Sequence, residues 1–200
     1  MAGLALHKFK SPGLKAIDLL LNPGECVSLT GPSGCGKTRL LRAIADLDPN
    51  DGNATLDDMP RNGLDPTEWR HKVGYLPAES HWWAPKVGHH FPDGDEETLT
   101  TLGFTAECLE WNVSRLSSGE RQRLALARLL VHSPRILLLD EPTANLDQAN
   151  ITRVETLIGQ LQDERGTAVL WVSHDPQQRQ RVAQRHLKIE DGQLENEQWS

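Results

Sequence analysis

The sequence predicts an α/β fold in which a mostly parallel sheet carries helices on both faces. Three segments, at residues 25–30, 135–140 and 168–174, are predicted to be buried strands, and the continuous apolar run at 135–140 is typical of a strand that is buried on both sides. Segments with apolar residues at helical spacing separate the later runs, at residues 118–132 and 151–161. Strands that alternate with helices favour parallel pairing with a helix in each crossover.

Short strands are expected before this core. They are predicted at residues 4–9, 16–21 and 54–57, because turn residues follow the first one at 11–13 and the second at 22–24. Each turn contains a Pro-Gly pair, which ends regular structure.

The remaining elements follow from similar signals. A helix is expected at 38–47, since Asp48 and Pro49 end the pattern, and another strand at 72–77. Residues 78–98 are irregular in pattern. The chain closes with a predicted hairpin around Asp191 and Gly192.

The composition excludes several classes of protein. Two hundred residues predict one domain, and no segment approaches the ~20 apolar residues that span a bilayer. The first residues lack the apolar core of a signal peptide, so a cytoplasmic protein with reduced thiols at Cys26, Cys35 and Cys108 is expected. A net charge of −7 argues against a nucleic-acid partner.

A phosphate-binding loop is the strongest motif. The segment GPSGCGKT matches G-x-x-x-x-G-K-[ST] in full, between a predicted strand and a predicted helix. Backbone N–H groups and the helix N-terminus bind phosphates there, while the lysine reaches the terminal phosphates and the threonine hydroxyl ligates Mg²⁺. The predicted nucleotide ligands are Gly31, Pro32, Ser33, Gly34, Cys35, Gly36, Lys37 and Thr38.

Three further side chains follow buried strands, at the edge where open α/β sheets bind ligands. Asp140 ends the run at 135–140 and is expected to hold Mg²⁺ together with Thr38. Glu141 comes next and is the candidate that orients or polarises the attacking water. His174 ends the run at 168–174 and is predicted to contact the γ-phosphate; taken alone, a histidine there is more often structural.

The ordered motifs GPSGCGKT, LSSGERQR, ILLLDEPTANLD and the strand ending in His174 resemble the nucleotide-binding subunit of ATP-binding cassette (ABC) transporters. The resemblance covers nearly the whole chain. It implies a P-loop NTPase with a RecA-like parallel core and a small antiparallel β subdomain at 1–77 and 133–200. A shortened helical subdomain with the signature is expected at 78–132.

The resemblance also explains a second anion-binding segment at residues 116–120. In the family two cassettes meet head to tail, and each phosphate loop faces the signature of the other subunit. Ser117, Ser118, Gly119 and Asp147 are therefore expected to complete the partner's ATP site. Ser117 and Glu120 also fit an S-x-x-E capping box, which is the simpler interpretation.

The function implied is hydrolysis of Mg-ATP to drive a separate membrane permease, at the inner face of the cell membrane. The expected partners are ATP, a second copy or homologous subunit, and the permease, with ATP and Mg²⁺ as cofactors. Two alternatives stay open: a soluble ABC ATPase without transport, and a nucleotide-gated interaction module with little hydrolysis.

This chain departs from the family where a glutamine normally follows the strand at 72–77. Ala78 holds that place, which predicts weak ATPase activity unless the adjacent Glu79 compensates as an oxygen ligand. Ser118 replaces the first glycine of the signature's pair and Glu120 replaces its glutamine.

Two aromatic features are left open by the sequence. Phe9 is the candidate to stack on adenine, with packing in the β subdomain as the equal alternative and His7 as a possible substitute. Trp82 and Trp83 are expected to form an exposed apolar patch for a partner helix or to pack inside the helical subdomain. A metal site with the neighbouring His81, His89 and His90 is the weaker alternative.

Overall fold

The computed structural model describes residues 3–91 and 96–197, which form two β-sheets and six α-helices. The strands are β1 Leu4–Lys10, β2 Ile17–Leu21, β3 Cys26–Thr30, β4 Asp51–Leu56, β5 Met59–Pro60, β6 Val73–Leu76, β7 Ile136–Asp140, β8 Ala168–Val172, β9 Arg185–Glu190 and β10 Gln193–Asn196. The helices are α1 Lys37–Ile44, α2 Pro66–Lys72, α3 Glu96–Thr101, α4 Ser118–Leu130, α5 Gln148–Arg165 and α6 Pro176–Val182.

The larger sheet confirms the predicted parallel core. Its strand order is β10-β9-β3-β8-β7-β6, and every pair is parallel except the β9–β10 hairpin. Strands β3, β7 and β8 therefore present their C-terminal ends to one edge, where parallel sheets place ligands.

Both faces of this sheet are buried, because alternate residues of each strand enter different hydrophobic clusters. In β7, Ile136 and Leu138 pack with α1 and the smaller sheet, whereas Leu137 and Leu139 pack with α4 and α5. Burial on both faces explains why the strand is a continuous apolar run in sequence.

The smaller sheet is antiparallel, as the family resemblance implied, with strand order β2-β1-β4-β5. Its register shifts between Leu6 and Phe9, and Lys8 lies in this irregularity with a φ of 48°. A bulge changes which residues face inward, because it adds one residue to the alternation. Phe9 consequently points into the core and is fully buried.

Helices α2, α3 and α6 were not predicted from the sequence. Helices α2 and α6 each begin with an aspartate N-cap and a proline at the first helical position, at Asp65-Pro66 and Asp175-Pro176. An aspartate followed by a proline signals the start of a helix. Each of these helices has only seven residues, which is too short for apolar periodicity to reveal it.

The predicted subdomain at residues 78–132 contains little helix besides α4. Its described residues hold the short α3 and three 3-10 turns, Val87–His90, Ala106–Glu110 and Val113–Arg115. Residues 92–95 of this segment lie outside the described part of the chain. The described helices include none with the length and apolar character needed to cross a membrane.

Candidate nucleotide-binding and catalytic site

The glycine-rich loop connects the end of β3 with the start of α1, as its motif predicts. Gly31 has a φ of 147°, and a Cβ there would lie 2.5 Å from the carbonyl oxygen of Ile189. Only glycine fits this close approach of two backbones. Gly36 precedes α1 without any side-chain cap, so the first N–H groups of the helix are left for an anion.

Lys37 folds back over the loop. Its ammonium donates hydrogen bonds to the carbonyl oxygens of Gly31 at 2.7 Å and Pro32 at 3.1 Å, and the residue is buried. These bonds hold the positive charge against the loop that is expected to curl around the phosphates.

Thr38 and Asp140 meet across the sheet edge. The Thr38 hydroxyl donates to Asp140 Oδ2 at 2.6 Å, and the Tyr75 hydroxyl lies 3.3 Å from the same oxygen. Burial, with the neighbouring Asp140 charge, raises the pKa of the Tyr75 hydroxyl well above its usual value. Hydroxyl and carboxylate oxygens are the ligands that Mg²⁺ prefers, so Thr38 and Asp140 fit the predicted cation.

Glu141 and His174 follow the ends of the adjacent strands β7 and β8. Glu141 has a φ of 50°, and its N–H donates to the Val172 carbonyl at 3.2 Å. Its carboxylate lies 3.1 Å from His174 Nε2. The base candidate is thus held by a histidine, which is the arrangement expected when one side chain orients another.

These groups surround one cavity of about 400 Å³. Its described lining comprises Ser33, Gly34, Gly36, Lys37, Thr38, Arg39, Arg42, Asp48, Asp140, Glu141 and His174. The structure therefore brings five residues of the phosphate loop, the predicted cation ligands and both predicted catalytic residues to a single cavity. The other predicted loop ligands, Gly31, Pro32 and Cys35, are not part of this lining.

The expectation that Phe9 stacks on adenine is wrong in this conformation. Its ring is fully buried in the core and does not line the cavity, so the alternative of packing in the β subdomain is correct. His7 is exposed, pairs with Asp18 at 2.8 Å and does not line the cavity.

The signature segment lies outside the cavity lining. Ser117 caps α4, and both halves of the predicted capping box are present. The Glu120 N–H donates to Ser117 Oγ at 3.2 Å, and Ser117 N–H and Oγ donate to Glu120 Oε2 at 2.8 and 2.9 Å. The backbone N–H of Ser117 lowers the pKa of the Glu120 carboxyl.

Gly119 lies close to the loop that precedes Asp147. Asp147 caps α5 by accepting from the Asn150 N–H at 2.9 Å, a bond that lowers the pKa of its carboxyl. A Cβ on Gly119 would lie 3.0 Å from the Asn145 carbonyl oxygen in the loop before Asp147. The signature and this loop thus pack together, and their contact with a nucleotide stays a prediction.

Ala78 is exposed and leaves the position of the family's glutamine without a polar side chain. Glu79 is exposed and does not line the cavity, so the structure gives its compensating role no support. Instead, Gln122 of the signature helix approaches this segment: its amide donates to the Pro77 carbonyl at 3.0 Å, and Ser80 Oγ donates to its side-chain oxygen at 3.0 Å.

Sequence reasoning missed both Tyr75 and Gln122. Gln122 sits inside the signature motif, and its polar side chain on the buried face of an otherwise apolar helix was an available signal. Tyr75 was the polar-tipped residue of a buried strand, which also needs a hydrogen-bond partner.

The two tryptophans share one cluster but differ in exposure. Trp83 is 75% exposed, whereas Trp82 is partly buried. The Arg128 guanidinium lies 4.5 and 4.9 Å from their ring centroids, and His90 packs edge-on against both rings. The described residues contain no group of three or more potential ligands that could hold a metal, so the metal alternative lacks support.

A parallel core, a phosphate loop and predicted catalytic residues at the strand ends are the features of a P-loop ATPase. A family model described as ABC transporter matches residues 14–144, and the chain belongs to that family of ATP-hydrolysing cassettes.

Relatives and solved structures agree with this assignment. The aliphatic sulfonates import ATP-binding protein SsuB 3 of Pseudomonas syringae pv. tomato is 36% identical over 90% of this chain and 68% of its own length. The aliphatic sulfonates import ATP-binding protein SsuB of Pseudomonas fluorescens is 35% identical over 90% of this chain and 69% of its own length. A dimeric, post-hydrolysis structure of the ATP-binding cassette MJ0796 with ADP and phosphate matches with a TM-score of 0.82, at 26% identity over 96% of this chain and 98% of that one.

Proposed function

We propose that this chain is the ATP-hydrolysing subunit of a transporter, working as a head-to-tail pair and driving a separate membrane permease. It would act on the cytoplasmic face of the membrane. One observation carries the proposal: the cavity holds Lys37, Thr38, Asp140, Glu141 and His174, while Ser117 lies outside its described lining. A second copy would supply the missing signature. The import relatives support a role in transport.

The phosphate loop would bind the triphosphate, with Lys37 turning from the loop carbonyls to the terminal phosphates. Thr38 and Asp140 would hold Mg²⁺, which supplies charge neutralisation to the β- and γ-phosphates when bound. Glu141 would orient the attacking water, and His174 would hold Glu141 in place and contact the γ-phosphate. Catalysis would then rest on positioning and charge stabilisation.

The partner subunit would contribute Ser117, Ser118, Gly119 and Asp147. Ser117 at the start of α4 adds a hydroxyl and the positive end of a 13-residue helix to the γ-phosphate. Hydrolysis removes the phosphate that joins the two subunits, so the pair would open and move the permease.

The permease contact is proposed at the exposed Trp83. This ring borders a cavity of about 410 Å³ that includes Leu129 and Val131 of the α4 region. An exposed aromatic ring beside an apolar cavity is typical of a surface that a partner covers.

Mixed subunits test the head-to-tail pair. A Lys37→Ala chain and a Ser117→Arg chain should each be inactive alone, and mixing them should restore part of the ATPase rate because one intact composite site forms. A shared site would be contradicted if the mixture stayed inactive and if the ATPase rate of the unmodified chain rose linearly with protein concentration.

Co-purification with the permease tests the role in transport. The Trp83→Ala variant should co-purify with less permease, while the ATPase rate of the isolated chain stays unchanged. Met59→Ala, which removes another exposed apolar side chain on the small sheet, is the matched control. The nucleotide-gated alternative, which Ala78 favours, predicts little hydrolysis; ATP turnover that the permease stimulates and that Glu141→Gln abolishes would exclude it.

A further inference from the structure

Tyr75 reaches the predicted cation site from the neighbouring strand. Strands β6 and β7 are parallel, and Tyr75 lies opposite Leu138. Asp140 is two residues further along β7, on the same face and about 7 Å away along the strand. A tyrosine side chain spans that separation, and the hydroxyl accordingly lies 3.3 Å from Asp140 Oδ2.

The hydroxyl and the ring of Tyr75 have different surroundings. The ring packs against the core that contains α1, so it fills space as a phenylalanine would. Only the hydroxyl meets the carboxylate. An ionised carboxylate is purely an acceptor, so Tyr75 must be the donor in this contact.

Among the described residues, both hydrogen bonds to the Asp140 side chain fall on Oδ2, one from Thr38 and one from Tyr75. Two donors on one oxygen fix the rotation of the carboxylate and leave Oδ1 for the cation or its water. Partners of this kind, which hold a ligand rather than the metal, set metal affinity in many sites.

We infer that Tyr75 is a positioning residue for the nucleotide-bound cation: its hydroxyl holds Asp140 in the orientation that Mg²⁺ requires. This rests on the proposed Mg-ATP function of the same site. It also gives the site a polar contact from the β6 side, where Ala78 supplies none.

Manganese affinity tests the inference without relying on turnover. In the Glu141→Gln background with ATP bound, Mn²⁺ binding measured by electron paramagnetic resonance should weaken about tenfold in Tyr75→Phe. ATP binding without metal should be unchanged. Thr167→Val, which removes a buried hydroxyl that contacts the Pro134 carbonyl, is the control and should match the parent.

Two further measurements guard against a merely structural effect. With Asp140→Asn, Tyr75→Phe should add nothing, and additive losses would overturn the inference. Tyr75 is the sole tyrosine of the 200 residues, so 3-fluorotyrosine labels it alone. Its fluorine resonance should shift when Mg²⁺ is added to the ATP-loaded protein.

The outcomes separate the two claims. Equal Mn²⁺ affinity in Tyr75→Phe and its parent, or a fluorine resonance that Mg²⁺ leaves unmoved, overturns the role of Tyr75 and leaves the ATPase intact. A parent protein that binds neither ATP nor Mn²⁺-ATP overturns both.

Discussion

His174 Nε2 lies 3.1 Å from a carboxylate oxygen of Glu141, although 33 residues separate them in sequence. The contact forms because Asp140 and Val172 are paired in the parallel sheet, so the residues that follow them emerge side by side. Parallel pairing thus places the two predicted catalytic groups together before any nucleotide binds.

Glu141→Gln should lower the ATPase rate by about 10²-fold or more, because an amide does not polarise the attacking water as a carboxylate does. His174→Ala should lower it by roughly 10- to 100-fold, the loss expected for a hydrogen bond to a charged group. Steady-state phosphate release measures both. Glu164→Gln on the exposed end of α5 is the control, and an unchanged rate in Glu141→Gln would refute the assigned role.

Substitutions in the capping box should separate helix stability from pairing. Ser117→Ala should cost about 1 kcal/mol of unfolding free energy, by loss of the N-cap, and should abolish ATP-dependent pairing. Glu120→Gln keeps the box, because glutamine also suits that position, and removes a negative charge beside the partner's triphosphate. It should pair at lower ATP concentration in size-exclusion chromatography of the Glu141→Gln background. Weaker pairing would contradict the proposed location of the partner's phosphate.

Ala78→Gln should raise the ATPase rate, because it restores an amide beside the cation and the attacking water. Ala78 is exposed, so the longer side chain meets no packing obstacle. The rate at saturating Mg-ATP is the measurement, with Ala78→Leu as a control for size alone. A glutamine variant no faster than the parent would show that the substitution at this position does not limit turnover.

Gly31→Ala should abolish ATP binding and lower stability by roughly 1–3 kcal/mol, because it combines a left-handed φ with a backbone clash at Ile189. Gly159→Ala is the matched control, since a Cβ there meets nothing within 4 Å. Within α5 it should raise stability by up to about 1 kcal/mol. Urea denaturation measures the stability of the two variants, and nucleotide titration measures their affinity for ATP. Equal stability and equal ATP affinity in Gly31→Ala and Gly159→Ala would contradict the loop geometry.

His90 should make stability depend on pH. It is buried against Trp82 and Trp83, and burial lowers its pKa. A hydrogen bond with the Ala84 backbone opposes this lowering of the pKa, and the charges of Arg128 and His89 add to it. The unfolded chain therefore binds the proton more readily, and stability present above the ordinary pKa of about 6.5 is lost as pH falls below it. His90→Gln should flatten this loss between pH 7.5 and 5.5 in urea denaturation. An equally steep loss in the variant would exclude His90 as the cause.

The sequence predicted the parallel core and the phosphate cavity well, because both depend on strong local signals. Strands such as β7 are nearly continuous apolar runs, and the loop needs its glycines at fixed positions. The inward position of Phe9 was not predictable in the same way, since alternation from Leu4 and Leu6 places it outside. The bulge at Lys8 reverses that phase, and a bulge depends on pairing with β2 and β4 rather than on the residues of β1 alone.

The hydrogen-bond partners of Gln122 and Tyr75 are likewise set by tertiary contacts. Each has a polar group whose partner lies 45 or 65 residues away, at Pro77 and Asp140, so no local pattern indicates it. The signature's capping box, by contrast, joins residues three apart and was predicted in full.

The burial of Phe9 has a consequence for which nucleotides the protein accepts. Apart from the imidazole of His174, the described residues that line the cavity offer no ring on which a purine could stack. Affinity would then come from the phosphates and the cation, which guanosine and adenosine triphosphates share, and the base would add little discrimination. We expect GTP to be hydrolysed nearly as readily as ATP. The relative concentrations of the two nucleotides in the cell, rather than recognition of the base, would then determine which one is hydrolysed.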